Sequence, residues 1–347
     1  MHLVIGGNGF LGSHLVRRLA AAGEQVRVLT RPTSDLRSLA GMDVEHVTGD
    51  LFDAAAVDAA MTGCDTVFHC AVDTRAWLTD PAPLYRTNVE ALRSVLDVAA
   101  RHDLRKFVAT STMATIGRGT GRAVVDESQR FDWADRAPHY VLARVAGERL
   151  ALSYAEHSRV PVVAMCVSNT YGPGDWAPTP HGSFVAAAAL GRLPFTVRGM
   201  RAEAVGIDDA ADALARAAVR GVAGERYIVS ERSIDLGDVV ATAAAAVDRE
   251  PPRLVLGKPA LYAAGAAGTA WTRLPQVFPP ARALPGAGAP QKLSLDSVRL
   301  MHVMAPMSHA KAERDLDWHP RPVTEAVAEG ARFWRDLVAR RREARTR

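Results

Sequence analysis

Tyr140 and Arg144 stand four residues apart, a spacing that puts both on one face of a helix. A free phenol ionises near pH ~10, and a fixed positive charge beside it favours the phenolate. The pair therefore suits proton transfer to or from a reacting oxygen near neutral pH. A second group opens the chain. Gly6, Gly9 and Gly12 follow the apolar run His2-Leu3-Val4-Ile5 at three-residue spacing, just ahead of a helical stretch from Ser13. One glycine permits a tight turn, the next lets backbone approach a diphosphate, and the last lets helix and strand pack closely. The diphosphate then rests at the positive end of the helix. With Asn8, Phe10 and Leu11 between them, these glycines predict a dinucleotide cradle.

The elements that must position these groups alternate. Residues 25–30, 44–48, 66–71 and 106–112 read as buried strands, with helical stretches such as 84–102 between them. The fold class expected is α/β, a Rossmann-type doubly wound parallel sheet. It is assigned to residues 1–165, with a smaller C-terminal substrate-binding lobe over 166–347. Part of 201–220 is expected to return to the sheet. Ligands gather at the carboxyl ends of such strands. Asp50 and Leu51 fall there, with Asp50 placed to accept from an adenine amino group, and Ala71 and Val72 leave room for backbone contact with a cofactor. At the end of the second strand Arg31 stands where an acidic residue would hold a ribose 2′-hydroxyl. A cation there favours a 2′-phosphate, hence NADP(H) over NAD(H), with Thr33, Ser34 and Arg37 able to assist.

Composition narrows the classes. The chain has 347 residues, 48% of them hydrophobic, enough for one large domain or two modest ones. Its net charge of +4 owes much to residues 340–347, which read as a solvated helix end, so no nucleic-acid partner is expected. Cys64, Cys70 and Cys166 have no metal-ligand spacing, which points to a reducing compartment without disulfides or a metal. The low-polarity stretch 259–271 is short of the ~20 residues a membrane helix needs. With the first strand expected from residue 2, no leader is expected either, and the protein reads as cytoplasmic with no membrane partner.

Gly6-Gly7-Asn8-Gly9-Phe10-Leu11-Gly12, Thr87-Asn88-Val89-Glu90, Thr110-Ser111-Thr112, Tyr140 and Tyr171-Gly172-Pro173-Gly174-Asp175 together carry a resemblance. The chain resembles an extended short-chain dehydrogenase/reductase of the NAD-dependent epimerase/dehydratase superfamily. Within it, the branch of dihydroflavonol 4-reductase and 3β-hydroxysteroid dehydrogenases is the most similar. The resemblance implies that Thr112 holds a substrate carbonyl oxygen, that Tyr140 is the general acid or base, and that Asn88 steadies the helix beneath the site. It implies that Val167 and Asn169 border the nicotinamide, and that two copies pair through helices at 84–102 and 140–157 as a homodimer. Two departures stand out. The family's lysine is Arg144 here, which keeps the charge but is larger and stays protonated. Cofactor binding is expected to survive, with proton relay impaired or rerouted through water. Relatives also carry a proline in the stretch that here reads Cys166-Val167-Ser168-Asn169.

Asp73, Arg75, Trp77, Trp133, Trp176 and Phe184 are the candidate substrate-facing residues, joined by Met301, His302, Met304 and Met307. Many indoles and few charges suit a hydrophobic, ring-containing small molecule. The stretch 275–290 reads equally as a lid or a linker. Three functions remain open: reduction of a ketone or aldehyde (or the reverse oxidation), a cofactor-binding protein whose redox chemistry has lapsed, and a nucleotide-sugar epimerase. Thr112-Met113-Ala114 lacks the Asp-Glu pair that the superfamily's sugar dehydratases carry after the threonine.

Overall fold

The computed structural model describes residues 1–78, 80–119, 123–277, 295–300 and 305–346. The first six strands are β1 (His2–Ile5), β2 (Val26–Thr30), β3 (Glu45–Thr48), β4 (Thr66–His69), β5 (Lys106–Thr112) and β6 (Val162–Val167). After them come β7 (Asn169–Tyr171), β8 (Phe195–Val197), β9 (Arg201–Gly206), β10 (Arg226–Val229), β11 (Arg232–Asp235) and β12 (Leu254–Leu256). The first six helices are α1 (Phe10–Ala21), α2 (Ala54–Met61), α3 (Ala82–Tyr85), α4 (Leu92–Ala99), α5 (His139–His157) and α6 (Gly182–Ala189). The rest are α7 (Ile207–Arg220), α8 (Leu236–Ala245), α9 (Lys258–Val277), α10 (Leu295–Leu300), α11 (Ala310–Leu316) and α12 (Val323–Thr346).

Seven strands form one sheet in the order β3-β2-β1-β4-β5-β6-β10, every neighbour parallel. Every residue of β1, β4 and β6 is buried, as strands covered on both faces require. On one face Val4, Val28, Phe68 and Met165 pack against α1, α7 and α11. On the other, Leu3, Val67, Phe107 and Val162 pack against α2, α4 and α5. Strand order reverses between β1 and β4, and the crevice beyond their carboxyl ends is where ligands bind such sheets. A third core joins Tyr171 and Met200 to α6, α8 and α12, forming the smaller lobe.

The observed boundaries differ from those read in the sequence. β6 runs through Val167, and β10 supplies the sheet's seventh strand, so the sheet draws on residues from both sides of position 165. Ser168 breaks the chain between β6 and β7 and turns it out of the sheet. β9 therefore pairs with β7 and β11 in a three-stranded sheet, while α7 makes the return and packs on α1. The stretch 84–102 is not one regular helix: α3 passes through a wide π turn at Arg86–Ala91 into α4. Residues 278–290, Met301, His302 and Met304 lie outside the described residues. Met307 is a core residue beside Met113 and Ile116, not a cleft residue, and its backbone N–H donates to Glu203. Among the described residues no helix is long and apolar enough to cross a membrane, and no cluster of His, Cys, Asp or Glu could hold a metal.

Candidate active site

The cradle is built of backbone. Gly6 has φ +77°, and a Cβ there would lie 2.8 Å from the Ala71 nitrogen. A Cβ on Gly12 would lie 2.3 Å from the Gly6 oxygen, so only glycine lets α1 start this close to β1. Gly9 is the N-cap of α1 and no side chain caps it. The first turn of the helix, with Asn8 before it, faces a cleft of about 580 Å³. A diphosphate fits that cradle, because free helix N–H groups and the helix dipole both favour an anion.

At the end of the cleft beyond β2 the cation on the wall is Arg37. Its Nε donates to Asp35 at 2.7 Å, and its guanidinium lies 5.3 Å from the ring centre of Trp176. Arg37 in turn holds the Asp35 carboxyl below its usual range. Trp176 packs edge-on to Phe333 of α12 at 5.0 Å, so this stack joins the two lobes across the cleft. Arg31, Asp50, Leu51 and Ala71 sit just past the ends of β2, β3 and β4 but do not line the cleft. Arg31 is exposed, and the Asp50 carboxylate accepts from the Phe52 N–H at 2.9 Å.

At the other end Thr112, Tyr140 and Arg144 line the cleft together, from the tip of β5 and one face of α5. Thr112 Oγ1 accepts from the Ala114 N–H at 3.4 Å, which leaves the hydroxyl proton available to a ligand. Arg144 is buried, and its guanidinium turns inward, donating to Asn88 Oδ1 at 3.3 Å and to the Thr110 carbonyl at 2.6 Å. Asn88 sits in the π turn, and its amide grips the Asp73 backbone: Oδ1 accepts from the Asp73 N–H and Nδ2 donates to its carbonyl, both at 3.0 Å. A Cβ on Gly147 would meet the Asn88 oxygen at 2.4 Å, so that glycine lets α5 close on the turn.

Two buried polar atoms on this wall have no partner, Arg144 Nε and Ser168 Oγ. A buried unpaired donor costs about 1–3 kcal/mol, so both atoms call for a hydroxyl- or amide-bearing ligand such as a nicotinamide riboside. Behind them His69 is pushed down to about 4 by desolvation and by the Arg144 charge, and so is neutral. Burial pushes the Cys70 thiol up to about 11, which removes it as a nucleophile at neutral pH.

Of the other expected residues, Val72, Val167, Asn169 and Trp176 line the cleft. Asp73 does not: it is buried, and its carboxylate accepts from the Arg75 N–H and Nε at 3.0 and 2.9 Å, clasping the loop after β4. Thr74 and Ala76 reach the cleft from that loop in place of Trp77. Trp133 is buried behind Tyr140 and Leu300, and Phe184 packs in the core of the lobe. Aromatic rings serve a core as well as a binding wall, which is why residue type alone misplaces them. Sequence reading missed the wall of the substrate half: Met113, Tyr171, Met200, Ile234, Leu236 and Leu300. It also missed His181, which donates Nε2 to the Thr170 carbonyl at 2.9 Å and is pushed down to about 4 by desolvation. No spacing marks these residues; only Ser168 had a signal, as neighbour of Val167 and Asn169. Arg37 and Arg144 are the cations of the cleft among the described residues.

Comparison with known proteins gives a consistent result. Residues 2–230 match the NAD dependent epimerase/dehydratase family. The chain is 32% identical over 244 residues to a Synechocystis sp. protein provisionally named dihydroflavonol 4-reductase, covering 69% of this chain and 70% of that one. It is 31% identical over 242 residues to the 2-alkyl-3-oxoalkanoate reductase of Stenotrophomonas maltophilia, covering 66% of this chain and 69% of the relative. The solved UDP-glucose 4-epimerase of Thermotoga maritima, with UDP-glucose, matches with a TM-score of 0.75 over 97% of this chain and 99% of that one. At 17% identity that is a likeness of fold.

Proposed function

The chain belongs to the NAD-dependent epimerase/dehydratase family, and on that premise we propose that it is an NADP(H)-dependent reductase of a hydrophobic, ring-containing ketone or aldehyde. The same site run in reverse oxidises the alcohol. One observation carries the reading: Thr112, Tyr140 and Arg144 share a cleft wall whose substrate half is apolar. Tyr140 gives its proton to the carbonyl oxygen, and the free hydroxyl proton of Thr112 holds the same oxygen. General acid catalysis of this kind contributes about 10²–10⁴-fold. The Arg144 guanidinium is held by two neutral acceptors, and no carboxylate pairs with it among the described residues. Its charge is therefore available to the phenolate that Tyr140 leaves behind.

When bound, the reduced nicotinamide supplies the hydride. Gly9 and the first turn of α1 would hold the diphosphate, with Arg144 Nε and Ser168 Oγ toward the nicotinamide riboside. Arg37, with exposed Arg31 in the same stretch after β2, supports a 2′-phosphate and hence NADP(H) over NAD(H). The apolar wall supports a hydrophobic substrate over a nucleotide sugar, since among the described residues no cation stands in that half to meet a sugar diphosphate. The names of the two relatives above, both reductases, support carbonyl reduction.

A second reading rests on the inward turn of Arg144. A guanidinium stays protonated, and this one is already committed to Asn88 and the Thr110 carbonyl, so it passes no proton on to Tyr140, which favours a binding protein with lapsed redox chemistry. NADPH consumption against a panel of bulky ketones, in the parent and in Arg144→Lys, separates the two. The reductase reading expects turnover in the parent and more in the variant. No turnover in either, with NADPH still bound, leaves the second reading standing, and absence of NADPH binding removes both.

A further inference from the structure

Four residues beyond Arg144, on the face of α5 that carries Tyr140, lies a carboxylate with no part in the chemistry above. Glu148 is buried, and four side chains converge on it from three strands or their ends. Ser111, beside Thr112 in β5, donates to Glu148 Oε2. The Thr115 hydroxyl, just past β5, lies 2.6 Å from the same oxygen and 2.8 Å from the Thr112 carbonyl. With one proton to share, it ties the Thr112 backbone to the carboxylate. Cys166 of β6 brings its thiol to 3.3 Å, and burial together with the Glu148 charge pushes that thiol up, so it stays protonated and donates. From β10, Arg226 donates to Glu148 Oε1 at 3.1 Å. Its other nitrogens hold the Glu127 and Gln129 carbonyls, ahead of α5, at 2.7–3.0 Å.

A buried carboxylate carries a desolvation penalty that an apolar residue of the same size avoids. What the carboxylate adds is direction. Its two oxygens fix α5 in register against β5, β6 and β10 at once. Tyr140 rides on α5, and Thr112 ends β5. We propose that Glu148 is a positioning residue, a buried latch that sets the separation of Tyr140 from Thr112 by locking α5 to the strand ends. This rests on the reductase reading for its consequence in turnover, though not for its geometry.

The test compares Glu148→Gln, Thr115→Val and Thr115→Ser with the parent in the full-length protein. An amide presents a donor where the carboxylate accepted, so Glu148→Gln breaks one side of the latch. Thr115→Val removes one hydroxyl at constant shape, and Thr115→Ser keeps it. A misplacement of about 1 Å lowers turnover about a hundredfold. The expected result is therefore a kcat loss of about ten- to a hundredfold in Glu148→Gln and Thr115→Val. NADPH Kd stays near that of the parent in both, and Thr115→Ser keeps near-parent kcat. If Glu148→Gln does not fold, Thr115→Val and Thr115→Ser still decide. Folded variants with parent-like kcat, or with NADPH affinity falling as far as kcat, overturn the latch. If the parent itself turns over no ketone, the reductase reading falls, and amide hydrogen exchange judges the latch alone. Faster exchange in Glu148→Gln at residues 111–115 and 140–148 together, with β1 and β2 still protected, supports it; unchanged exchange there overturns it.

Discussion

The two ends of the cleft are built from different materials. At the diphosphate end the shape is backbone: Gly6 at φ +77° and Gly12 packed where a Cβ would come within 2.3 Å of an oxygen. At the substrate end it is side chain, with Met200 and the pair Ile234 and Leu236 contributed by two stretches of the smaller lobe. A ligand of fixed shape and charge demands particular residues, and a hydrophobic one asks only for volume and an absence of charge. One end should therefore tolerate almost no substitution, and the other should trade residues for specificity.

Removal of the group between the two ends gives the largest expected effect. Tyr140→Phe should lower kcat by about 10²–10⁴-fold while NADPH binding stays near the parent value. Stopped-flow turnover alongside calorimetric titration of NADPH checks it. A parallel loss of NADPH affinity would mean that Tyr140 belongs to the binding end. Next comes Gly12→Ala. The new methyl must push apart α1 and the Gly6 turn, an overpacking penalty of about 1–3 kcal/mol. Thermal unfolding should fall by several degrees and NADPH binding should weaken together. Ile234→Ala is the counterpart at the far end. It removes three carbons from the wall, at about 0.8 kcal/mol for each CH₂ that a bulky substrate covers. kcat/KM for such a ketone should drop about ten- to sixtyfold, according to how many of the three carbons it covers, with NADPH affinity unaltered. If Ile234→Ala weakened NADPH more than Gly12→Ala did, the division of the cleft would collapse.

The same division explains what was legible in the sequence. The cradle was, because backbone crowding at Gly6 and Gly12 forbids other residues, and so was the parallel sheet, because Leu3-Val4-Ile5 of β1 and Val67-Phe68 of β4 are unbroken apolar runs. The shared helical face of Tyr140 and Arg144 followed from their spacing, but the inward turn of the guanidinium did not. It depends on Asn88 and the Thr110 carbonyl, which are 56 and 34 residues away in the chain. Trp133 and Phe184 read as substrate residues and are core residues, because an aromatic ring carries no mark of which it serves. Asp73 and Arg75 read as substrate-facing residues, and nothing in residue type foretold that the two would pair with each other. Arg37 against Trp176, and the four donors on Glu148, join distant parts of the chain, so residue spacing could not pair them.

The smallest effect concerns protons, and it separates the cleft from the ground beneath the lobe. His69 behind Arg144 and His181 in the substrate half are both held down near 4, chiefly by desolvation, against 6.5 for a free imidazole. The unfolded chain takes up protons that these folded rings refuse. Their contribution to stability is therefore complete above pH 6.5 and is lost as pH falls toward 4. Glu203, buried in β9 away from the cleft wall, has the opposite sign. Desolvation raises it from 4.5 to about 7, so the folded state keeps a proton that the unfolded chain releases. Its contribution is complete below pH 4.5 and is lost as pH rises to about 7. Between 4.5 and 6.5 the two histidines and Glu203 therefore oppose each other. Glu203→Gln removes the opposing slope while its amide oxygen can still accept the Met307 N–H. Across that window the melting temperature of the variant should climb more steeply with pH than that of the parent. Above pH 7 it should lie a few degrees higher, because no charge is then buried. Parallel melting curves from pH 4.5 to 8 would show that Glu203 ionises as freely in the folded protein as in the unfolded chain.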